Sequence, residues 1–144
     1  MSPGELDASV IRRHLLALDE ALQILSAHRG RSIEDLETNQ EERWVVERGL
    51  QLCIQNVLDV ATHLVASAGR DVPDYATAID QLADLGILTR EFATPFRAVA
   101  GFRNVIVHGY LDVDVEIVHR LLNERLDDFA EFARRINAHL TEDR

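Results

Sequence analysis

The sequence predicts an all-α fold, an up-and-down bundle of four to five helices. Apolar residues recur at alternating steps of three and four over long stretches, which is the spacing of one face of an amphipathic helix. Strand-like alternation is not sustained anywhere, and glycines or polar capping residues separate the periodic stretches. With 144 residues, of which 47% are hydrophobic and 28% charged, the chain is expected to form a single domain over residues 1–144.

The first predicted helix spans residues 6–27, and the second starts at a capping-box pattern, Thr38 with Glu41, and runs to about Ala68. The second helix carries two neighbouring apolar stripes, so we expect it to be buried on two sides. One side would face its own bundle and the other a second copy of the chain. The stripes comprise Val46, Leu50, Cys53, Val57, Val60 and Leu64, and Ile54, Leu58, Ala61 and Val65.

Three further helices and two short turns are predicted along the rest of the chain. The helices cover residues 75–85, residues 95–107 and the stretch that begins at Asp112 or Asp114, and the turns cover residues 32–36 and those after Thr89. Pro95 suits the first position of its helix, because the N–H that proline lacks is unpaired there in any case. The last helix is predicted from the stripe Val118, Leu122, Leu126, Phe129, Ala133, Ile136 and Leu140.

The formal net charge of −10 at pH 7 argues against the broad basic surface by which most proteins bind nucleic acid. We therefore expect neither the wrapping of duplex DNA nor a broad RNA-binding surface. Arg90, Arg97 and Arg103 fall in one short segment, however, and could form a local basic cleft. A basic partner protein could also cover the acidic surface.

The chain is expected to be cytoplasmic. No stretch approaches the roughly 20 continuous apolar residues that cross a bilayer, so no membrane contact is expected. Charged residues interrupt the first turns, where a signal peptide would be apolar. The single cysteine, Cys53, cannot form an internal disulfide and lies in an apolar stripe, which predicts a buried packing thiol.

The side chains that can do chemistry are gathered in residues 97–110. Asn104 and His108 are four apart and share a helix face, whereas Arg103 and His108 are five apart, about 140° around an ideal helix. Cooperation between Arg103 and His108 therefore needs either an unwound last turn or a second subunit. Tyr110 aligns with Arg103 only if the helix continues that far.

These residues suit the cleavage of an RNA phosphodiester, in which the ribose 2′-hydroxyl is the nucleophile and no metal is required. His108 can take or give a proton near neutral pH, Arg103 can stabilise charge on the phosphate oxygens, and Asn104 can orient the phosphate or the histidine. Two copies of His108 across a dimer axis could share the roles of base and acid. On spacing alone, the residues also fit a solvated helix end with a dipole-favoured cation.

The stretch FRAVAGFRNVIVHGY, residues 96–110, resembles the signature of the HepT-like branch of the HEPN superfamily. That signature is an arginine, a polar residue, three variable residues, a histidine, one residue and a tyrosine. Arg103, Asn104, His108 and Tyr110 fill these positions in order. The resemblance implies a metal-independent ribonuclease without a cofactor, acting on tRNA or mRNA as a symmetric homodimer, and the toxin half of a bacterial toxin–antitoxin pair.

The resemblance also gives Tyr110 a role. In the family this position is implied to be the site where a cognate MNT-type nucleotidyltransferase antitoxin attaches adenylate. The added phosphate, ribose and base would block the cleft and repel RNA beside Arg103 and His108. The alternative is a Tyr110 that anchors its loop, with a buried ring and an exposed hydroxyl.

Other polar residues carry weaker signals. Asp59 and His63, four apart on the second helix, are predicted as a structural pair or as a contact behind the active cleft. No metal site is expected, since no Cys or His cluster supplies further ligands. The remaining histidines that we expect to be solvated are His14, His28, His119 and His139.

Two alternative functions stay open beside the nuclease. One is a catalytically silent HEPN subunit that assists nucleotide binding by a separate nucleotidyltransferase, and the other is a purely structural helical dimer. Intact Arg103 and His108 favour the nuclease, because a silent subunit has no need of both.

Overall fold

The computed structural model describes residues 6–108 and 114–142, except the side chains of residues 107 and 108. Within these ranges the chain is all-helical, as predicted, and contains no strand. The elements are α1 (Ala8–Ser26), α2 (Ile33–Thr38), α3 (Gln40–Ser67), α4 (Tyr75–Asp84), α5 (Arg90–Phe96), α6 (Val99–His108), α7 (Val115–Arg120), a π-helical turn (Leu121–Arg125) and α8 (Leu126–Glu142). Among the described helices, none combines the length and the hydropathy of a membrane-spanning segment.

The five predicted helices correspond to α1, α3, α4, α6 and the continuous run of α7, the π-helical turn and α8. The two predicted turns are the short helices α2 and α5. The last helix begins at one of its two predicted starts, because the Asp114 side chain accepts a hydrogen bond from the Glu116 backbone N–H and so caps α7.

Helix α3 is the centre of the bundle and packs against α1, α4, α6 and α8. Every residue of its two apolar stripes is at most 3% exposed within the single chain. The prediction that the second stripe faces another copy of the chain is therefore wrong, since helices of the same chain cover both. Burial of one such Val, Leu or Ile side chain stabilises the fold by roughly 1.5–3 kcal/mol.

Cys53 lies in this core and is fully buried, as its stripe position predicts. Burial raises the pKa of the Cys53 thiol to about 12, because the charged thiolate is disfavoured away from water. A thiol that stays protonated is a poor nucleophile, so Cys53 is a packing residue.

The N-cap of α3 lies one residue later than predicted. Asn39, not Thr38, is the N-cap, and its side chain accepts a hydrogen bond from the Glu42 backbone N–H. Thr38 is the last residue of α2, and its hydroxyl donates to the Glu34 carbonyl. The capping box of this region is formed instead by Ser32 and Asp35 at the start of α2.

The prediction that a helix starts at Pro95 is also wrong. Thr89 caps α5 by accepting a hydrogen bond from the Phe92 backbone N–H, and Pro95 lies in the last turn of that helix. Phe92 and Phe96 stack at 4.8 Å between ring centroids, and Phe96 stacks on Phe132 at 5.4 Å. This packing keeps the turn around Pro95 helical, and α6 starts only at Val99.

Helices α1 and α3 approach each other closely at Gly49. A Cβ placed on Gly49 would lie 2.6 Å from Leu25 Cδ2 and 2.8 Å from Leu25 Cγ, and Leu25 is fully buried. We expect Gly49→Ala to lower the free energy of unfolding by roughly 1–3 kcal/mol, the usual cost of overpacking a core. Urea denaturation followed by circular dichroism measures this change.

Gly101→Ala is the matched control for Gly49→Ala. Gly101 also lies inside a helix, but its added Cβ would meet no atom within 4 Å. Here alanine is expected to raise the free energy of unfolding by about 0.5–1 kcal/mol, because it favours the helix over the unfolded chain. A gain of the same size at Gly49 would contradict the close approach of the two helices.

Candidate active site on helix α6

Arg103 is the functional candidate that the structure describes most fully. It lies on α6, which packs against α3 and α4, and its side chain is partly buried between them. Arg103 Nε donates a hydrogen bond to Gln55 Oε1 on α3 at 2.9 Å. The guanidinium carbon lies 5.2 Å from the centroid of the Tyr75 ring at the start of α4, within the range of a cation–π contact.

Gln55 connects Arg103 to Asp59, one turn further along α3. Gln55 Nε2 donates to Asp59 Oδ1 at 2.8 Å, so the two ends of one amide contact an arginine and a carboxylate. Gln55 and Asp59 are both partly buried. The structure thus places Asp59 one side chain away from Arg103.

A second glutamine of α3 holds the last turn of α6. Gln51 Nε2 donates to the Ile106 carbonyl at 3.1 Å, and Gln51 Oε1 accepts from Arg48 at 3.3 Å. The last four carbonyls of a helix have no partner within the helix, and Ile106 contributes one of them. Gln51 therefore fixes the end of α6 just before His108.

The three arginines that were expected to form a basic cleft do not act together. Arg97 forms an ion pair with Asp80 at 3.1 Å, and Arg90 forms an ion pair with Asp84. Both aspartates lie on α4. The expected three-arginine cleft is therefore wrong. Arg103 differs from the other two, because its hydrogen-bond partner among the described residues is a neutral amide rather than a carboxylate.

The other signature residues are described only in part. Asn104 is exposed on α6. The backbone of His108 belongs to α6, but its side chain lies outside the described residues, as does the whole of Tyr110. Since α6 is helical through position 108, it does not have the unwound last turn that would bring positions 103 and 108 to one face.

Asp59 and His63 do not bind each other in the part of the chain that the structure describes, so their prediction as a pair is wrong. His63 Nε2 accepts a hydrogen bond from the Asp7 backbone N–H at 3.3 Å. Asp7 is the N-cap of α1, and its side chain accepts from the backbone of Ser9 and Val10. His63 thus holds the start of α1, whereas Asp59 accepts a hydrogen bond from Gln55.

Two histidines that were expected to be solvated are bound instead. His14 Nδ1 lies 2.8 Å from the side-chain oxygen of Asn56, which is a buried residue. His28 Nδ1 lies 3.2 Å from Glu42, and Arg31 together with His28 holds the pKa of the Glu42 carboxyl below its usual value. His14 thus links α1 to α3, and His28 links the turn after α1 to α3, so both histidines make structural contacts.

Sequence reasoning missed Gln51, Gln55 and Tyr75. Gln51, Gln55 and Asp59 follow each other at steps of four along α3, which is the spacing of one helix face. This polar stripe beside two apolar ones was the available signal. It was missed because neutral amides carry no charge pattern.

The described residues contain no group of three or more His, Cys, Asp or Glu side chains that could hold a metal ion. What the arrangement offers is a positively charged group held in one orientation between two helices. An arginine held in this way is suited to bind and stabilise a phosphate that gains charge during a reaction.

The sequence and the helical fold both resemble those of known proteins. The chain matches the family described as Ribonuclease HepT-like over residues 18–136, which is more than half of its length. It therefore belongs to the HepT-like ribonuclease family, as its signature stretch predicts, and its enzyme class is ribonuclease.

Two relatives carry names that specify an RNA. The tRNA nuclease HepT of Aphanizomenon flos-aquae is 27% identical over 137 residues, which cover 94% of this chain and 92% of the relative. The mRNA nuclease HepT of Shewanella oneidensis is 27% identical over 90 residues, which cover 62% of this chain and 68% of the relative.

Solved structures share the fold. The tri-AMPylated Shewanella oneidensis HEPN toxin, in complex with its MNT antitoxin, superposes with a TM-score of 0.78 at 20% identity, over 90% of this chain and 97% of that one. The cytosolic protein YutE of Bacillus subtilis superposes with a TM-score of 0.81 at 22% identity, over 96% and 93%. At these identities the superpositions establish a common architecture.

Proposed function

We propose that this chain is the endoribonuclease toxin of a toxin–antitoxin system and cleaves tRNA or mRNA without a metal ion. The observation that carries the proposal is Arg103, a partly buried arginine held by a neutral amide and an aromatic ring. Its charge is not cancelled by a carboxylate among the described residues, in contrast to Arg90 and Arg97. In a chain with a net charge of −10, such a group is a site for a phosphate rather than part of a general basic surface.

The proposed reaction is an internal transesterification of RNA. A base removes the proton of the 2′-hydroxyl, the 2′-oxygen forms a bond to phosphorus, and the bond from phosphorus to the 5′-oxygen breaks. An acid gives a proton to the leaving 5′-oxygen, so the products are a 2′,3′-cyclic phosphate and a 5′-hydroxyl. In this proposal His108 transfers the protons, Arg103 stabilises the charge on the phosphate and Asn104 orients it.

The proposed active unit is a homodimer with its cleft at the two-fold axis. Positions 103 and 108 lie about 140° apart around a continuous α6, so one helix does not offer both positions to the same phosphate. A second copy brings another α6 to the cleft and supplies the second histidine for the acid and base roles.

The proposed control is by a nucleotidyltransferase. The solved complexes pair a related fold with an MNT antitoxin, and that HEPN toxin is tri-AMPylated. We infer that a cognate enzyme of the same kind transfers adenylate to Tyr110 and so closes the cleft to RNA. Each adenylate adds a negative phosphodiester next to the groups that must receive the RNA phosphate.

The function is tested with the chain purified in the absence of antitoxin, after its mass has shown that it is unmodified. The protein is incubated in excess EDTA with tRNA and with an mRNA transcript. We expect discrete cuts that leave 2′,3′-cyclic phosphates, and sedimentation of the same sample at twice the chain mass. The matched control is an oligonucleotide carrying one 2′-deoxy sugar at the mapped cut, which should stay intact because it lacks the nucleophile. An intact RNA would favour the silent HEPN subunit, and cleavage only after magnesium is restored would contradict the metal-free reaction.

A further inference from the structure

We propose that Gln55 and Asp59 of helix α3 are positioning residues that set the orientation of the Arg103 guanidinium for catalysis. The inference rests on the proposed nuclease function and adds residues that the signature on α6 does not contain. It is drawn from the chain of hydrogen bonds that runs from Asp59 through Gln55 to Arg103.

The direction of these hydrogen bonds follows from which groups can donate. An arginine has donors only and an ionised carboxylate has acceptors only, whereas a glutamine amide has an acceptor end and a donor end. Asp59 accepts from Gln55 Nε2, so Gln55 Oε1 is the end that remains for Arg103 Nε. If the amide were turned over, its NH2 group would face the Arg103 N–H, donor against donor. Asp59 therefore decides which end of Gln55 meets Arg103.

Two contacts restrain the planar guanidinium of Arg103. The first is the hydrogen bond from Arg103 Nε to Gln55, which lies in the plane of the guanidinium. The second is the Tyr75 ring, whose centroid lies 5.2 Å from the central carbon of the guanidinium. With Nε bound in this way, the donors on the two terminal nitrogens are the ones that can pair with phosphate oxygens. The pairing needs the guanidinium in one orientation, which these contacts provide before RNA binds.

A neutral residue at position 55 also preserves the charge of Arg103. A carboxylate at the same place would form an ion pair, as Asp80 does with Arg97 at 3.1 Å. The Asp59 carboxylate is kept one side chain away, so it orients the amide without itself bonding to Arg103 in the described part of the chain. Asp59 thus orients the Gln55 amide, and Gln55 accepts the hydrogen bond from the Arg103 cation.

The test compares Gln55→Ala and Asp59→Ala with Asp59→Asn in the cleavage assay on one oligonucleotide. We expect both alanine variants to lower kcat by about tenfold to a hundredfold, since small displacements of a catalytic group have effects of this size. KM should change little, because the charge of Arg103 is kept. Asp59→Asn should retain most of the activity, because the asparagine carbonyl can still accept from Gln55 Nε2.

A spectroscopic readout distinguishes positioning from a general loss of stability. The Nε–H signal of Arg103 in a ¹H–¹⁵N spectrum should exchange slowly with water in the wild type and in Asp59→Asn, and quickly in the two alanine variants. Gln23→Ala is the matched control, because Gln23 Nε2 also donates to an aspartate four residues away, Asp19, at 2.8 Å but on the exposed face of α1. If Gln55→Ala fails to fold, Gln55→Met keeps the length of the side chain and removes both polar ends.

The possible outcomes are distinct. If Gln55→Ala, or Gln55→Met in its place, and Asp59→Ala cleave like Gln23→Ala while Arg103→Ala is inactive, the positioning role is refuted and the nuclease proposal stands. A raised KM with unchanged kcat would also refute it, because the residues would then act on binding alone. If Arg103→Ala itself cleaves RNA at the wild-type rate, the proposed function fails before the positioning question arises.

Discussion

Arg103→Ala is expected to lower the rate of RNA cleavage about a hundredfold or more, the usual effect of removing a group that stabilises charge in a transition state. His108→Ala is expected to have an effect at least as large, because it removes the proposed proton-transfer group. Both variants should also lose toxicity when they are expressed without an antitoxin. Initial rates on a fluorescent oligonucleotide and growth after induction are the two measurements.

The control for Arg103→Ala is Arg97→Ala, which removes an arginine six residues earlier in the chain. Arg97 is exposed and paired with Asp80, so its loss should leave cleavage close to the wild-type rate. The Arg103→Ala protein should remain folded, because the change costs one hydrogen bond and one cation–π contact, together less than about 3 kcal/mol. If the Arg103 and His108 variants both cut RNA like the wild type, the assignment of the active site to α6 is wrong.

The fold could be predicted where the information is local. The positions of α1, α3, α4 and α8 follow from apolar residues at steps of three and four, because that spacing forces one face of a helix inward wherever the helix packs. The exact starts were less predictable. At Thr38 and Asn39, two adjacent residues can each cap a helix, and the choice depends on where α2 ends.

The predictions for Pro95 and for the second stripe of α3 failed because they depend on tertiary packing, which a local pattern does not reveal. Proline is over-represented at the first position of a helix, but Pro95 lies in the last turn of α5, where Phe92 and Phe96 stack on each other. The two stripes of α3 correctly predict burial on two sides. They carry no information on what covers each side, and the cover is this chain itself.

The residues of the candidate site also fall into two groups, those that the sequence predicts and those whose roles depend on helix packing. Arg103 could be predicted from its place in a signature, because the order of arginine, asparagine and histidine can be recognised in the sequence itself. Gln55 and Tyr75 could not, because their roles depend on how α3 and α4 lie against α6. The pairing of Arg90 and Arg97 with aspartates of α4 depends on the same packing, and it removes two of the three arginines from the expected cleft.

Tyr110→Phe is expected to abolish neutralisation by the antitoxin while leaving much of the cleavage activity. The phenol oxygen is the proposed nucleophile towards the α-phosphate of ATP: it forms a bond to phosphorus, pyrophosphate leaves, and the phenol proton is lost to solvent. Phenylalanine keeps the ring but has no oxygen to modify. Co-expression with a catalytically competent nucleotidyltransferase should therefore rescue growth with the wild-type toxin and fail to do so with Tyr110→Phe.

The mechanism of neutralisation is read from the mass of the peptide covering residues 103–120 after incubation with the antitoxin and ATP. Each transferred adenylate adds one phosphodiester and therefore one negative charge, and that charge falls on the residue two positions after His108 and seven after Arg103. Tyr75→Phe is the control for a general effect of losing a tyrosine hydroxyl, because it keeps the ring beside Arg103 and should still be neutralised. An unmodified Tyr110 peptide in a fully neutralised toxin would mean that the antitoxin acts by covering the cleft. A modified peptide in a toxin that still cuts RNA would mean that the adenylate lies away from the bound phosphate.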